Sequence, residues 1–329
     1  MSATSTNLPS AGPVGVSRSF VSRLRNADEI ARVITFLFAA SVVLVTVLLV
    51  FELWRQSALP RHKFGFSFFL TRVWDPIAEQ FGALPFIYGT VVTAGVALII
   101  SVPLGIGAAI FLAELAPQKL SDPLQFFIDL LAAVPSVIYG LLGIFVVIPA
   151  MRQWIQPALK NTLGFLPLFQ GPAYGIGFLT AGIVLAIMVI PYIISVSREV
   201  LLSVPRDQRE AALALGSTRW ESTWKVVVPF AKTGIMGSIF LALARALGET
   251  MAVTMVIGNT PTISASLFSP GYSIAAVVAN EFTEATGDLY TQSLIELGLV
   301  LFLLTFILNG LARLLMLLTT QRGSGMGNA

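Results

Sequence analysis

Long charge-free apolar runs, separated by short polar stretches, set the pattern of this chain. Six runs stand out, at about Val33–Leu53, Phe86–Ala113, Phe126–Pro149, Gly175–Ser195, Thr233–Ile257 and Leu294–Leu318. A helix needs about 20 apolar residues to cross a bilayer, so each run reads as a membrane span. Residues 1–29 carry Ser, Gly, Pro and Asn with Arg18, Arg23 and Arg25 and no apolar period, and predict a basic, disordered tail. The first run is too long for a signal-peptide core and lacks a small-residue cleavage pattern, so it predicts a retained first helix over 30–54. Residues 55–85, together with Trp54, mix aromatic and charged side chains and suit an external segment at the membrane interface. A core of five spans then fills 86–318, followed by a short tail over 319–329. The second and third spans carry Pro103, Gly105 and Gly107, and Pro135, Gly140 and Gly143, where small residues permit close helix contact and prolines permit kinks.

The polar stretch 196–232 is too long and too patterned for a simple connection. It predicts two short helices. Ser203 can cap the first, Pro205 suits its first turn, and Gly216 can take the left-handed turn that ends it. Thr218-Arg219-Trp220-Glu221 has the spacing of a capping box, and the second helix is expected to stop near Pro229. Two uses fit such a pair: an amphipathic element on the inner leaflet, or a docking knob for a cytoplasmic partner.

Composition turns the run pattern into a class. Of 329 residues 56% are hydrophobic and 11% charged, against about 25% charged in soluble domains. With a mean hydropathy of +0.84, the chain is expected to be an all-α integral membrane protein in contact with the lipid bilayer. It has no Cys and a single His62, which removes disulfides, Cys-ligated zinc and iron–sulfur sites, and leaves no basis for a His-based metal or general-base site.

Charge placement sets the orientation. With the N-terminus inside, inner segments hold 13 Lys and Arg and outer ones 6, and only Arg245 is left in a span. The stretch 258–293 has no Lys or Arg but contains Glu281, Glu284 and Asp288, which places it outside. Both termini are therefore expected on the cytoplasmic side.

Arg245 and Glu249 are four apart in the fifth run, hence on one helix face and within reach of each other. A charge at the bilayer centre costs at least about 2.5–3.5 kcal/mol, so the two are expected to face protein or water. They could form a structural ion pair or a site for a translocated anion. A guanidinium offers a fork of donors to an oxyanion. A carboxylate beside it favours an oxyanion that still carries a proton, as phosphate does at neutral pH and sulfate does not. Ser136 and Tyr139 beside Pro135, Thr250 and Asn259 are further candidates for the pathway.

Two sets of strings carry a resemblance. Glu210-Ala211-Ala212, three residues, Gly216 and, thirteen residues on, Pro229 resemble the EAA loop of type I ABC importer permeases, with Val226 and Val228 at its Ile and Leu positions. Phe86-Ile87-Tyr88-Gly89-Thr90, Pro135-Ser136-Val137-Ile138-Tyr139-Gly140 and Ala244-Arg245-Ala246-Leu247-Gly248-Glu249-Thr250-Met251-Ala252 resemble the phosphate-specific ABC permeases. Gly271-Tyr272-Ser273-Ile274-Ala275 and Phe81-Gly82-Ala83-Leu84-Pro85 are similar to their C-type rather than A-type branch.

The resemblance implies a type I ABC importer permease fold with one extra N-terminal helix, in a bacterial inner membrane. It implies an A-type phosphate permease as heterodimer partner, two copies of a nucleotide-binding ATPase, and an external phosphate-binding protein. The loop with Glu210, Ala211, Ala212, Gly216 and Pro229 would couple to that ATPase. The chain has no Walker A string, so no enzyme activity and no bound cofactor are expected of it, and ATP and Mg would act through the partner. Nucleic acid is not an expected partner. A permease for sulfate or molybdate, and a phosphate-sensing scaffold for a signalling kinase, are the rival functions.

Overall fold

A computed structural model describes residues 18–324, with side chains described from 29 to 314 and at Met316. The chain divides into two units, residues 1–52 and 53–329. In the first, helix α1 (Arg18–Gln56, continuing into the second unit) exposes its apolar side chains all along the span, Phe36, Phe38 and Val42 among them. It begins at Arg18 rather than near residue 30, so part of the predicted disordered tail is helical; residues 1–17 of that tail lie outside the described residues.

The second unit holds α2 (Ala58–Phe64), α3 (Leu84–Leu115), α4 (Gln118–Ala132), α5 (Ser136–Leu163), α6 (Phe178–Leu202), α7 (Arg206–Ala214), α8 (Arg219–Leu247), α9 (Met251–Ile257), α10 (Ile274–Glu281) and α11 (Asp288–Ser324). Together with residues 29–56 of α1, the helices α3, α5, α6, α8 and α11 are long and apolar enough to cross a membrane, six among the described residues. The C-terminal tail expected from 319 is helical to Ser324, and residues 325–329 lie outside the described residues.

Helix α6 is the centre of the unit. Val184, Leu185, Met188 and Ile193 are buried between Ala94 and Ala97 of α3, Val147 of α5 and Ala242 of α8. Small residues let α3 come close, because a Cβ at Gly105 would sit 2.7 Å from Ile193 Cγ2. Gly107 has open space instead, so only one of the two predicted close contacts forms.

Three boundaries move. The third run splits, because Pro135 separates α5 from α4, an amphipathic helix whose Phe126, Phe127 and Leu130 are exposed. Its polar side faces protein: Gln125 Nε2 donates to Ser195 Oγ at 3.0 Å, and Ser195 Oγ donates to Asp129 Oδ1 at 2.6 Å. The fifth run also splits, at Gly248–Thr250, leaving α9 as a separate short helix. The second loop helix does not stop near Pro229 but runs on as the first turns of α8, so the loop expected over 196–232 shrinks to residues between α6 and α8, with α7 inside it.

The segment 55–85 does not span. Within the second unit, its Phe68 and Phe81 pack with Phe86 of α3 and with Tyr272, Ile274, Leu294 and Leu297.

Candidate functional site

Arg245 lies in the last turn of α8, and its residue is exposed. Its guanidinium carbon sits 5.9 Å from the centre of the Tyr192 ring on α6, at the outer limit of a cation–π contact. Among the described residues no carboxylate comes within 4.0 Å of it. The expected pairing with Glu249 is absent for a local reason. The helix ends at Leu247, Gly248 caps it, and Glu249 falls in the break before α9. There its Oε1 accepts a hydrogen bond from the Ala252 amide at 3.2 Å, so the carboxylate serves the first turn of α9. The result is an unpaired cation in a membrane-spanning helix beside a break in the backbone.

The other predicted pathway residues scatter around that break. Thr250 is half-buried at the head of α9, and its carbonyl accepts from the Thr254 hydroxyl at 2.7 Å. Asn259 is exposed beyond the far end of α9, at positive φ (49°), and its side-chain amide donates to the Thr254 carbonyl at 3.0 Å. Ser136 opens α5 and is half-buried. Tyr139 is buried, and its hydroxyl donates to the Leu131 carbonyl of α4 at 2.7 Å, so its polar tip is committed to holding α4 against α5. Gly140 is pressed against Met255 of α9. Tyr192 was not anticipated from sequence; its only signal is an aromatic ring next to Pro191 within a span.

A second polar constellation sits at α7. Pro205, not Ser203, occupies the N-cap of α7, and the Ser203 hydroxyl bonds back to the Val200 carbonyl instead. At the other end Gly216 has φ +87°, with the Ser217 amide donating to Ala212 O and the Gly216 amide to Leu213 O, the paired bonds of a Schellman turn. The capping box at Thr218 and Glu221 is present in both directions. Glu210 and Ala211 face outward and Ala212 inward. Next to them Leu215 is 88% exposed, and Trp220 and Trp224 stand edge to face, their ring centres 5.6 Å apart. A loop rich in Arg and Lys thus displays a small apolar surface.

On the opposite side of the unit, Glu281 of α10 accepts from Trp74 Nε1 at 2.8 Å and from the Tyr290 hydroxyl at 2.7 Å, tying the 55–85 segment down. Burial pushes the Tyr272 phenol nearby up to about 12, so it stays neutral and can accept from Asn280.

The sequence model of the family described as binding-protein-dependent transport system inner membrane component matches residues 101–316. The chain is 49% identical over 285 residues to the phosphate transport system permease protein PstC of Mesorhizobium japonicum, covering 84% of this chain and 87% of that one. It is 39% identical over 293 residues to a probable PstC of Methanocaldococcus jannaschii, covering 87% and 92%. Among solved structures, a bacterial ABC transporter involved in the import of the acidic polysaccharide alginate superimposes with a TM-score of 0.55 at 16% identity, over 88% of this chain and 98% of that one. An inward-facing MetNI methionine ABC transporter gives 0.50 at 17%, over 73% and 98%. Those two likenesses bear on the fold alone. The chain belongs to the family of binding-protein-dependent transport system inner membrane components, and within it to the PstC permeases.

Proposed function

We propose that this chain is the permease subunit of an ATP-driven importer of inorganic phosphate and forms half of the translocation pathway. The observation that carries this reading is Arg245, an exposed, unpaired guanidinium inside a spanning helix, in a chain whose relatives are named phosphate permeases. Arg245 is the anion contact. Glu249 has its Oε1 engaged by α9, and its second oxygen accepts the O–H that phosphate keeps at neutral pH. Thr250, Ser136 and Asn259 supply polar groups around the break.

The chain pairs with an A-type permease, two copies of an ATPase dock under the pair, and one of them meets α7 of this chain through Glu210, Ala211 and the turn at Gly216. ATP and Mg belong to that subunit, and an external binding protein delivers the ion. Both termini are cytoplasmic. In this scheme ATP and the loaded binding protein shift the population between inward-open and outward-open states. Uptake of labelled phosphate in membrane vesicles tests the substrate: unlabelled phosphate should compete and a large excess of sulfate should not. Strong sulfate competition would overturn the phosphate assignment.

A further inference from the structure

Arg209 precedes the Glu210-Ala211-Ala212 string but points the other way. Glu210 and Ala211 are exposed, whereas the Arg209 side chain is only 20% exposed and meets the Glu114 side chain, 10% exposed. Nε lies 3.3 and 3.2 Å from the two Glu114 oxygens, and Nη2 lies 2.8 Å from Oε1. Nη2 also donates to the Leu201 carbonyl at 2.7 Å, and Nη1 donates to the Val204 carbonyl. Leu201 is in the last turn of α6, and Glu114 is in the widened turn that ends α3. One side chain therefore fastens α7 to the ends of two spans.

Little else links α7 to α3. Within α7 only Ala212 is buried, so the helix has a small apolar grip. Its chain neighbours are α6 and α8, while Glu114 lies 95 residues away in sequence, so α3 is reached only across space. A planar guanidinium can hold a carboxylate and two carbonyls in fixed directions at once, which an ammonium on a flexible stem cannot. The pair is also largely shielded from water, so solvent screening is weak.

We propose that Arg209 and Glu114 form the transmission joint of the coupling helix, converting displacement of α7 by the ATPase into movement of the end of α3. The proposal rests on the assignment of α7 as the ATPase docking element. Both are positioning residues, since neither touches the anion site.

The test uses the whole importer in proteoliposomes and reads phosphate imported per ATP hydrolysed. Glu114→Gln and Arg209→Lys should still co-purify with the ATPase subunit and hydrolyse ATP, while that ratio falls about tenfold, within the range of about 5–150-fold usual for coupling between sites. The double variant Glu114→Gln with Arg209→Lys should lower the ratio no further than the worse of the two singles, because both disturb the same contact. If uptake and hydrolysis fall in parallel, or the losses of the two single variants multiply in the double variant, the joint is overturned. Failure of the underlying assignment has its own signature. A photo-crosslinker attached at Leu215→Cys would then miss the ATPase subunit, sinking both ideas. An unchanged ratio with the crosslink present would sink the joint alone.

Discussion

At the scale of single residues, Arg245 owes its place to the cost of burying charge. A guanidinium in a span is retained only where something repays its desolvation, and no carboxylate does so among the described residues. Arg245→Gln should therefore lower phosphate uptake about ten- to hundredfold, the value of a charged hydrogen bond of about 1.5–3 kcal/mol, with ATPase association unchanged. Arg245→Lys should fall between, keeping the charge and losing the fork. Gly216 makes a purely conformational prediction, because nothing lies within 4 Å of a Cβ placed there while φ is +87°. Gly216→Asn should be tolerated better than Gly216→Val, the latter costing about 1–2 kcal/mol and loosening the coupling loop, as read by loss of ATPase co-purification. Arg245 was legible in the sequence because a lone cation interrupts an apolar run. The pairing with Glu249 was misread because four-residue spacing implies contact only on a continuous helix, and Gly248 ends this one. Arg209 was not legible as a joint, since one more Arg in a polar loop carries no sign of the carboxylate at Glu114.

At the scale of elements, the prolines explain both what pattern reading caught and what it missed. Four turns are widened to an i to i+5 ladder, at Phe111–Leu115, Gly143–Val147, Met151–Ile155 and Thr223–Val227. Each is followed two residues later by a proline: Pro117, Pro149, Pro157 and Pro229. In each case the residue just before the proline donates its amide to the carbonyl five residues back, as Val228 does to Thr223. A proline lacks an amide hydrogen and crowds the carbonyl four residues earlier, and a widened turn gives the ring room. So α5 and α8 pass through prolines that sequence rules treat as stops, whereas at Pro117 and Pro135 the chain does break. Pro229→Ala removes the reason for the wide turn in α8. Without the extra residue, the Arg219–Val227 segment would rotate by about 100° relative to the rest of α8, one residue's worth of helix. The variant should gain up to about 3 kcal/mol of helix stability, raising the Tm of the solubilised protein, and yet lose uptake because α7 is presented at the wrong angle.

At the scale of the molecule, six spans were readable from hydropathy because lipid demands a near-continuous apolar surface, while the packing of α6 at the centre was not, since lipid-facing and buried apolar residues read alike. Orientation depends instead on the uneven placement of Lys and Arg, 13 against 6. The absence of Cys makes it directly measurable. Ile77, 97% exposed before α3, and Lys119, exposed after it, flank one spanning helix, so single Cys residues there should lie on opposite sides. A membrane-impermeant maleimide applied to intact spheroplasts should label Ile77→Cys and spare Lys119→Cys until the membrane is opened. The reverse pattern would turn the molecule over, placing α7 outside and out of reach of any cytoplasmic ATPase. Orientation and coupling thus stand or fall together, because Arg209 lies after three spans from the N-terminal side of α3 and shares the face of the membrane that Lys119 marks.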